Sequence, residues 1–136
     1  MASILFVERH IDYRLSLSKS LLARGHELVW LLDLKTAHTA IKNNIDNSRR
    51  FEMVIFSRTA CAKGIWLEYA RGIRDTGVRV IMLIEEGVRV VPNGDSPLDA
   101  ILPKSTPKNR IISVAESILR DKLPPRMVAI PVQTSV

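Results

Sequence analysis

Residues 99–120 read DAILPKSTPKNRIISVAESILR, a short apolar run followed by a helical pattern. Residues 100–102 predict the end of a buried strand. A helix is predicted after Pro107, because apolar side chains then recur at helical spacing, at Ile111, Ala115 and Ile118. Lys104 lies between the two, at the carboxyl end of the strand, where open α/β sheets build their sites. The lysine is therefore either a functional cation or an ordinary loop residue.

The rest of the chain repeats this alternation of strand and helix. Buried strands are predicted at residues 4–7, 27–32, 53–56 and 78–84, with a helix after each of the first three. The segment 85–98, EEGVRVVPNGDSPL, holds two glycines and two prolines, so the fourth helix is predicted to be short or irregular. Five alternations favour an α/β fold of flavodoxin-like (βα)5 type, a three-layer sandwich around a five-stranded parallel sheet.

Local signals bound the first helix and place its apolar side chains. Asp12 is a suitable N-cap and Gly25 a suitable end. Two apolar rows lie between them, Leu15 with Leu22 and Leu17 with Leu21. The second helix is predicted over 36–43 and the third from about Ile65 to Gly77. Trp30 and Trp66 are interpreted as packing in the core or between helix and sheet, and His26 as a turn residue.

Length and composition predict one soluble domain. The chain has 136 residues, 46% of them apolar, which is enough to bury a core without disulfides. Cys61 is the single cysteine and cannot form an internal disulfide, and neither a leader nor a membrane-spanning run is evident, so we expect a cytoplasmic protein. We predict a domain over 1–122 and a proline-bearing tail or linker over 123–136.

The net charge of +6 raises a nucleic-acid alternative. Basic residues are spread along the chain and aromatic residues are few, which favours a dispersed solvated surface. Folding would have to bring together Arg71, Arg74, Lys108 and Arg110 to form one basic patch. A basic nucleic-acid-binding module therefore stays a second alternative.

Three stretches resemble receiver domains of response regulators of the chemotaxis-regulator type: ILFVERHIDYRLSLSKSLLARGHELVWLLD at 4–33, FEMVIFS at 51–57 and the closing stretch 99–120. In that family two carboxylates after the first strand and an acceptor aspartate after the third hold magnesium, a cation that prefers oxygen ligands. The metal and a lysine neutralise the phosphoryl group as it moves onto the aspartate. The resemblance implies a signalling module of the same fold.

The resemblance also implies that this pocket is degenerate. The family's acidic pair falls on Glu8 and Arg9 and its acceptor on Ser57, while only the lysine, Lys104, is retained. The positions of the switch hydroxyl and the switch aromatic fall on apolar residues, Ile84 and Ile101. Neither phosphoryl transfer, metal nor cofactor is therefore expected. We expect Lys104 to pair with Glu8 at about 0 to 1 kcal/mol, and Arg9 either to occupy the place of the metal or to point to solvent.

The sequence thus predicts a non-enzymatic, phosphorylation-independent signalling module of a two-component-type or transcription-regulating pathway. Its partner would be another protein or a second copy, bound through the face of the family's fourth helix, fifth strand and fifth helix, including Lys108, Arg110, Ile112 and Glu116. A working phosphoacceptor would instead need Asp12 or Asp33. A further alternative is a small-molecule or sugar-nucleotide-binding domain, since ILFV and SLLARGHELVWL resemble the amino-terminal half of a glycosyltransferase.

Overall fold

The computed structural model describes residues 2–43, 51–61, 65–86 and 96–120. It contains five strands, β1 (Ser3–Val7), β2 (Glu27–Leu31), β3 (Met53–Ser57), β4 (Arg79–Ile84) and β5 (Ala100–Pro103). Its helices within those ranges are α1 (Ile11–Ala23), α2 (Leu34–Asn43), α3 (Trp66–Arg74) and α4 (Lys108–Arg120). The expected irregular fourth helix falls largely on residues 87–95, and the boundary at 122/123 on the tail, both outside the described residues.

All five strands form one parallel sheet in the order β2-β1-β3-β4-β5. The chain runs outward from β1 to β2, then crosses back over β1 to reach β3 and continues to β5. This is the strand order of a flavodoxin-like fold, so the predicted fold class is confirmed. The order also creates a switch point next to β1, where connections leave the sheet in opposite directions.

Two apolar clusters cover the two faces of the sheet. Along β1, Leu5 and Val7 belong to the cluster with α2 and α3, whereas Ile4 and Phe6 belong to the cluster with α1 and α4. A strand buried on both faces needs apolar side chains at every position. This requirement explains the uninterrupted apolar runs of β1, β3 and β4, and it places helices on both sides as predicted.

Helix α1 begins two residues earlier than expected and buries only one of its two apolar rows. Asp12 lies in the first turn rather than at the cap, which is His10. Leu17 and Leu21 are buried, but Leu15 and Leu22 are each 50% exposed. Of the two apolar rows, only that of Leu17 and Leu21 packs on the sheet, because the sheet covers a narrow strip of this helix.

The two tryptophans have different environments. Trp66 packs against Phe56, with ring centroids 6.2 Å apart, as expected for helix-sheet packing. Trp30 lies on the edge strand β2 and is 45% exposed, with the Arg14 guanidinium over its ring. The core assignment of Trp30 was wrong because β2 is the edge strand of the described sheet and the ring stays partly open to solvent there.

Candidate functional site

The carboxyl ends of the parallel strands bring the expected pocket residues to one edge of the sheet. Glu8 directly follows β1, Ser57 ends β3 and Lys104 directly follows β5. The Lys104 backbone N–H donates to the carbonyl oxygen of Ile84 over 2.8 Å, which fixes the start of this loop against β4. Residues far apart in sequence therefore share one edge because the sheet is parallel.

Lys104 is held between two carboxylates. Its Nζ lies 2.7 Å from Oε1 of Glu8 and 3.1 Å from Oε1 of Glu85. The side chains of Lys104 and Glu8 are only 12% and 1% exposed, while that of Glu85 is 48% exposed. The second Glu8 oxygen, Oε2, accepts the backbone N–H of His10 over 3.0 Å. The expected Glu8–Lys104 pairing is present, and Glu85 is an additional partner that the sequence did not indicate.

Tyr13 covers this ion cluster from α1. Its half-buried ring lies under two ammonium groups, Lys104 Nζ at 4.9 Å and Lys108 Nζ at 5.2 Å from the ring centroid. Burial raises the pKa of the Tyr13 hydroxyl well above its ordinary value, and the negative charges of Glu8 and Glu85 raise it further. The ring therefore shields the Glu8–Lys104 contact from water while remaining neutral. Only its helical position relative to Leu17 offered a sequence signal for this role.

Ser57 offers no activated nucleophile. The side chain is 1% exposed, and its Oγ lies 3.0 Å from Oγ1 of Thr59, another hydroxyl. A serine hydroxyl attacks readily only when a neighbouring base takes its proton, and a hydroxyl partner does not provide such a base. The geometry thus gives Ser57 a structural hydrogen bond at the carboxyl end of β3.

The guanidinium group of Arg9 does not lie beside the carboxylate of Glu8. Its Nε donates to the carbonyl oxygen of Leu32 over 3.2 Å, and its positive charge contributes to the lowered pKa of Asp33. The larger cause of that lowered pKa is the hydrogen bond that Asp33 accepts from the Thr36 backbone N–H. Arg9 therefore reaches toward the end of β2, and the hypothesis that it replaces a metal beside Glu8 is not supported. Neighbouring residues of an extended segment point to opposite sides, which separates Arg9 from Glu8.

The two positions that the resemblance assigns to the switch residues, Ile84 and Ile101, lie in the core. Ile84 is 5% exposed and Ile101 is 2% exposed, and both belong to the cluster between the sheet and α2 and α3. An apolar side chain at either position contributes packing and offers no hydrogen bond to an arriving phosphate.

The expected interface residues on α4 divide into buried and exposed positions. Ile112 is 5% exposed and packs in the core, so it is unavailable to a partner. Lys108 lies against Tyr13, and Arg110 is exposed. Glu116 binds Arg24 within the same chain, with Nη2 to Oε1 at 2.6 Å. Of these four residues, Arg110 is therefore the one whose side chain is exposed and forms no ion pair or hydrogen bond within the described residues.

His26 is a buried structural residue rather than a turn residue. Its Nδ1 accepts the backbone N–H of Ala2 over 3.1 Å, and its Nε2 lies 2.8 Å from Oε2 of Glu116. Because Nδ1 accepts, the proton of a neutral ring lies on Nε2 and points to the carboxylate. These bonds join the chain start, the end of α1 and α4. The sequence offered no signal for this contact, since Glu116 lies 90 positions away.

Folding does not gather the basic residues of α3 and α4 into one patch. The two helices pack on opposite faces of the sheet. Arg74 is buried and lies 3.0 Å from Oδ1 of Asp99, so its charge serves an internal ion pair. The predicted alternative of a single nucleic-acid-binding patch from Arg71, Arg74, Lys108 and Arg110 therefore lacks its geometric basis.

Residues 2–43, 51–61, 65–86 and 96–120 contain no group of three or more histidine, cysteine, aspartate or glutamate side chains placed to hold a metal ion. Within the same ranges, none of the helices combines the length and the apolar character that crossing a bilayer requires.

Comparison with known proteins identifies the fold. No protein-family model and no curated protein sequence matches this chain. A response regulator receiver protein from Sinorhizobium medicae is similar in structure with a TM-score of 0.71 at 15% identity, covering 90% of this chain and 97% of that one. The N-terminal domain of a response regulator/sensory box/GGDEF protein from Carboxydothermus hydrogenoformans gives 0.70 at 16%, covering 87% and 94%.

A third similar structure comes from a complex of a histidine kinase with a response regulator protein. It matches with a TM-score of 0.66 at 22% identity, covering 88% of this chain and 99% of that one. At these identities the comparisons show that the chain has the fold of receiver domains, and the residues of the pocket must be judged on their own geometry.

Proposed function

We propose that this chain is a receiver-like signalling module that accepts no phosphoryl group and acts by contact with other proteins. The observation that carries the proposal is the Lys104 cluster, in which the one retained residue of the resembling pocket is already neutralised by Glu8 and Glu85. Ser57 stands at the acceptor position with a hydroxyl partner and no base. The fold shared with response regulator domains supports the signalling class.

Charge balance supports the loss of phosphoryl input. A phosphoryl group carries about −1.5 to −2 charges and needs cations that are free to meet it. Here one ammonium already faces two carboxylates, so an arriving phosphate would have to separate Lys104 from Glu8. Breaking that contact would leave the Glu8 carboxylate, which is 1% exposed, without its cation. The cost is on the order of several kcal/mol.

Exposed apolar side chains support a protein partner. Ile11, Leu15 and Leu22 are each at least 50% exposed and share one face of α1, because they are four and seven positions apart. Exposed apolar side chains grouped on one helix face are typical of interaction sites. The complex of a histidine kinase with a response regulator shows that a domain of this fold is found with a protein partner.

The first experiment tests phosphoryl input. Amide-resolved NMR spectra of the chain would be recorded with magnesium and then with beryllofluoride, which mimics an aspartyl phosphate. We expect the amides of Glu8, Ser57 and Lys104 to stay unmoved at about 10 mM magnesium, a concentration well above that needed to fill weak cation sites. A responsive receiver domain under identical conditions is the positive control. Shifts that begin at these amides and spread to Ile101 would instead identify a working phosphorylation switch.

The second experiment tests the protein contact. A photo-crosslinking residue would replace Leu15 or Leu22 in cells, and Ser16, which is exposed and lies about 100° around α1 from Leu15, is the matched control. We expect a discrete cross-linked partner from the two leucine positions and none from Ser16. Equal labelling from all three positions would mean that the apolar surface has no specific partner, and the proposal would lose its support.

A further inference from the structure

A second group of side chains meets at the carboxyl edge of the sheet, apart from the Lys104 cluster. It lines a cleft of about 330 Å³ between the segments that follow β1, β2 and β3 and the start of α3. The cleft lies beside β1 at the switch point of the strand order, the place where open α/β sheets bind ligands. Its volume falls at the lower end of the range of small-molecule pockets. Position and size both suit a small ligand.

Two cations in the cleft form no ion pair within the described residues, although both lie near enough to Asp33 to help lower its pKa. Arg9 uses only its Nε, on the carbonyl oxygen of Leu32, and its two terminal nitrogens make no hydrogen bond within the described part of the chain. Lys35, exposed at the start of α2, likewise has no ion pair among the described residues. Arg9 and Lys35 are thus available to bind an anionic group, in contrast to Lys104.

Asp33 offsets part of this positive charge, but one carboxylate against two cations leaves the cleft with a net positive charge. Its Oδ1 accepts the backbone N–H of Thr36 over 2.8 Å and the Thr36 hydroxyl over 2.9 Å, so this oxygen caps α2. The hydrogen bond from the Thr36 amide keeps the pKa of Asp33 below its ordinary value, and the carboxylate stays ionised. Its second oxygen, together with the exposed hydroxyl of Thr59, can accept a hydrogen bond from a ligand hydroxyl.

The opposite wall of the cleft is apolar and aromatic. Ile65 is 40% exposed, and the half-buried ring of Tyr69 lies 5.5 Å from the imidazole of His38. The contact with His38 fixes the Tyr69 ring before any ligand arrives. A fixed aromatic ring beside an apolar side chain favours a planar, ring-bearing group.

We propose that this cleft binds a small molecule that joins an anionic group to a planar ring, such as a nucleoside monophosphate. Arg9 and Lys35 bind the phosphate, Ile65 and Tyr69 pack against the ring, and Asp33 accepts from the sugar hydroxyls. This binding site goes beyond the proposed signalling function and does not depend on the state of the Lys104 cluster.

The test is an amide-resolved NMR titration of the whole chain with the four common ribonucleoside monophosphates, their nucleosides and inorganic phosphate. We expect at least one monophosphate to shift the amides of 33–36, Thr59 and 65–69 with a Kd below about 1 mM. Its nucleoside and inorganic phosphate should each bind at least about tenfold more weakly, because each supplies only half of the contacts.

Charge variants make the assignment specific. Lys35→Gln and Arg9→Gln should each weaken binding of that monophosphate by about tenfold, the effect of one charged hydrogen bond. Lys42→Gln, on the same helix but in its last turn, is the matched control and should leave the Kd unchanged. Lys35 is exposed, so its variant keeps the test valid even if Arg9→Gln disturbs the bond to Leu32.

Several outcomes would overturn the proposal. One is the absence of binding by all four monophosphates below about 10 mM. Another is equal affinity for a nucleoside or for inorganic phosphate, which would remove the need for both halves of the ligand. An equal loss on Lys42→Gln would show attraction to net charge alone. Magnesium-dependent shifts at Lys104 would refute the proposed signalling function and leave this assignment untouched.

Discussion

Replacing Lys104 with methionine should destabilise the domain strongly, because Glu8 would stay buried without its cation. Methionine keeps most of the apolar stem that packs on Tyr13 and removes only the ammonium group. Removing one partner of a fully buried ion pair costs about 3 to 5 kcal/mol, whereas an exposed pair is worth about 0 to 1 kcal/mol. The side-chain exposures of 12% and 1% place this pair near the buried class. We therefore expect a loss of about 2 to 4 kcal/mol.

The loss can be measured by urea unfolding and by thermal unfolding. For a domain of this size about 1 kcal/mol corresponds to about 4 °C in Tm, so Lys104→Met should lower Tm by about 8 to 16 °C. Lys19→Met replaces an exposed lysine of α1 and is the matched control, with an expected change within about 0.5 kcal/mol.

A double-mutant cycle separates the ion pair from other contacts of Lys104. Glu8→Gln keeps the bond from the His10 amide but loses the negative charge. The double variant should be more stable than the sum of the two single losses predicts, by about 1 to 3 kcal/mol, because it leaves neither the Glu8 carboxylate nor the Lys104 ammonium group buried without its partner. A Lys104→Met variant as stable as Lys19→Met, or strictly additive losses, would refute the reasoning that burial makes this pair strong.

Three further predictions concern the packing and the caps. Gly72→Ala should destabilise despite a helix-propensity gain of about 1 kcal/mol, because the new Cβ would lie 2.9 Å or less from two ring atoms of His38, and adding His38→Ala should recover stability in urea unfolding. Asp99→Asn should cost about 3 kcal/mol in the same assay, since it leaves the guanidinium of buried Arg74 without its anion. Asp33→Ala should cost about 1 kcal/mol at pH 7 through loss of the α2 cap. Because the folded-state pKa of Asp33 is lowered, its contribution is complete above the ordinary carboxyl pKa and is lost as the pH falls through the lowered value, so variant and wild type should converge in acid.

The fold was predictable from the sequence because a parallel sheet leaves a strong pattern. The runs at 4–7, 53–56 and 80–84 are apolar at every position, and a helical repeat follows each of the first two. The end of α1 was also marked in the sequence. Gly25 follows the C-cap residue Arg24 and adopts a φ of +89°, where a residue with a Cβ is strained. The segment 85–98 shows the limit of this reasoning, because its glycines and prolines argue against a regular helix without indicating which other structure forms.

The candidate site was predictable only in part. Glu8 and Lys104 were expected at the same edge because both follow strands, and parallel strands share that edge. The burial of their contact was not expected, because it depends on Tyr13 covering it from α1. The exposure of Leu15 and Trp30 was also missed, since spacing places apolar residues on one side of an element without showing whether anything packs there.

The two groups of charges at the sheet edge have opposite capacities to receive an anion. Lys104 faces two carboxylates at 2.7 and 3.1 Å, so an anion that approaches it must displace at least one of them. Arg9 and Lys35 lie near one carboxylate of the cleft lining, that of Asp33, whose Oδ1 is already bound to Thr36 in the first turn of α2. An anion can therefore approach the two cations without breaking an ion pair. Thr59 lines the cleft of Arg9 and Lys35 and also bonds to Ser57, so a ligand there would contact the hydrogen-bond partner of the last residue of β3. The same edge of the fold would then receive an anion through noncovalent binding at β1 and β2 rather than through phosphoryl transfer to the end of β3.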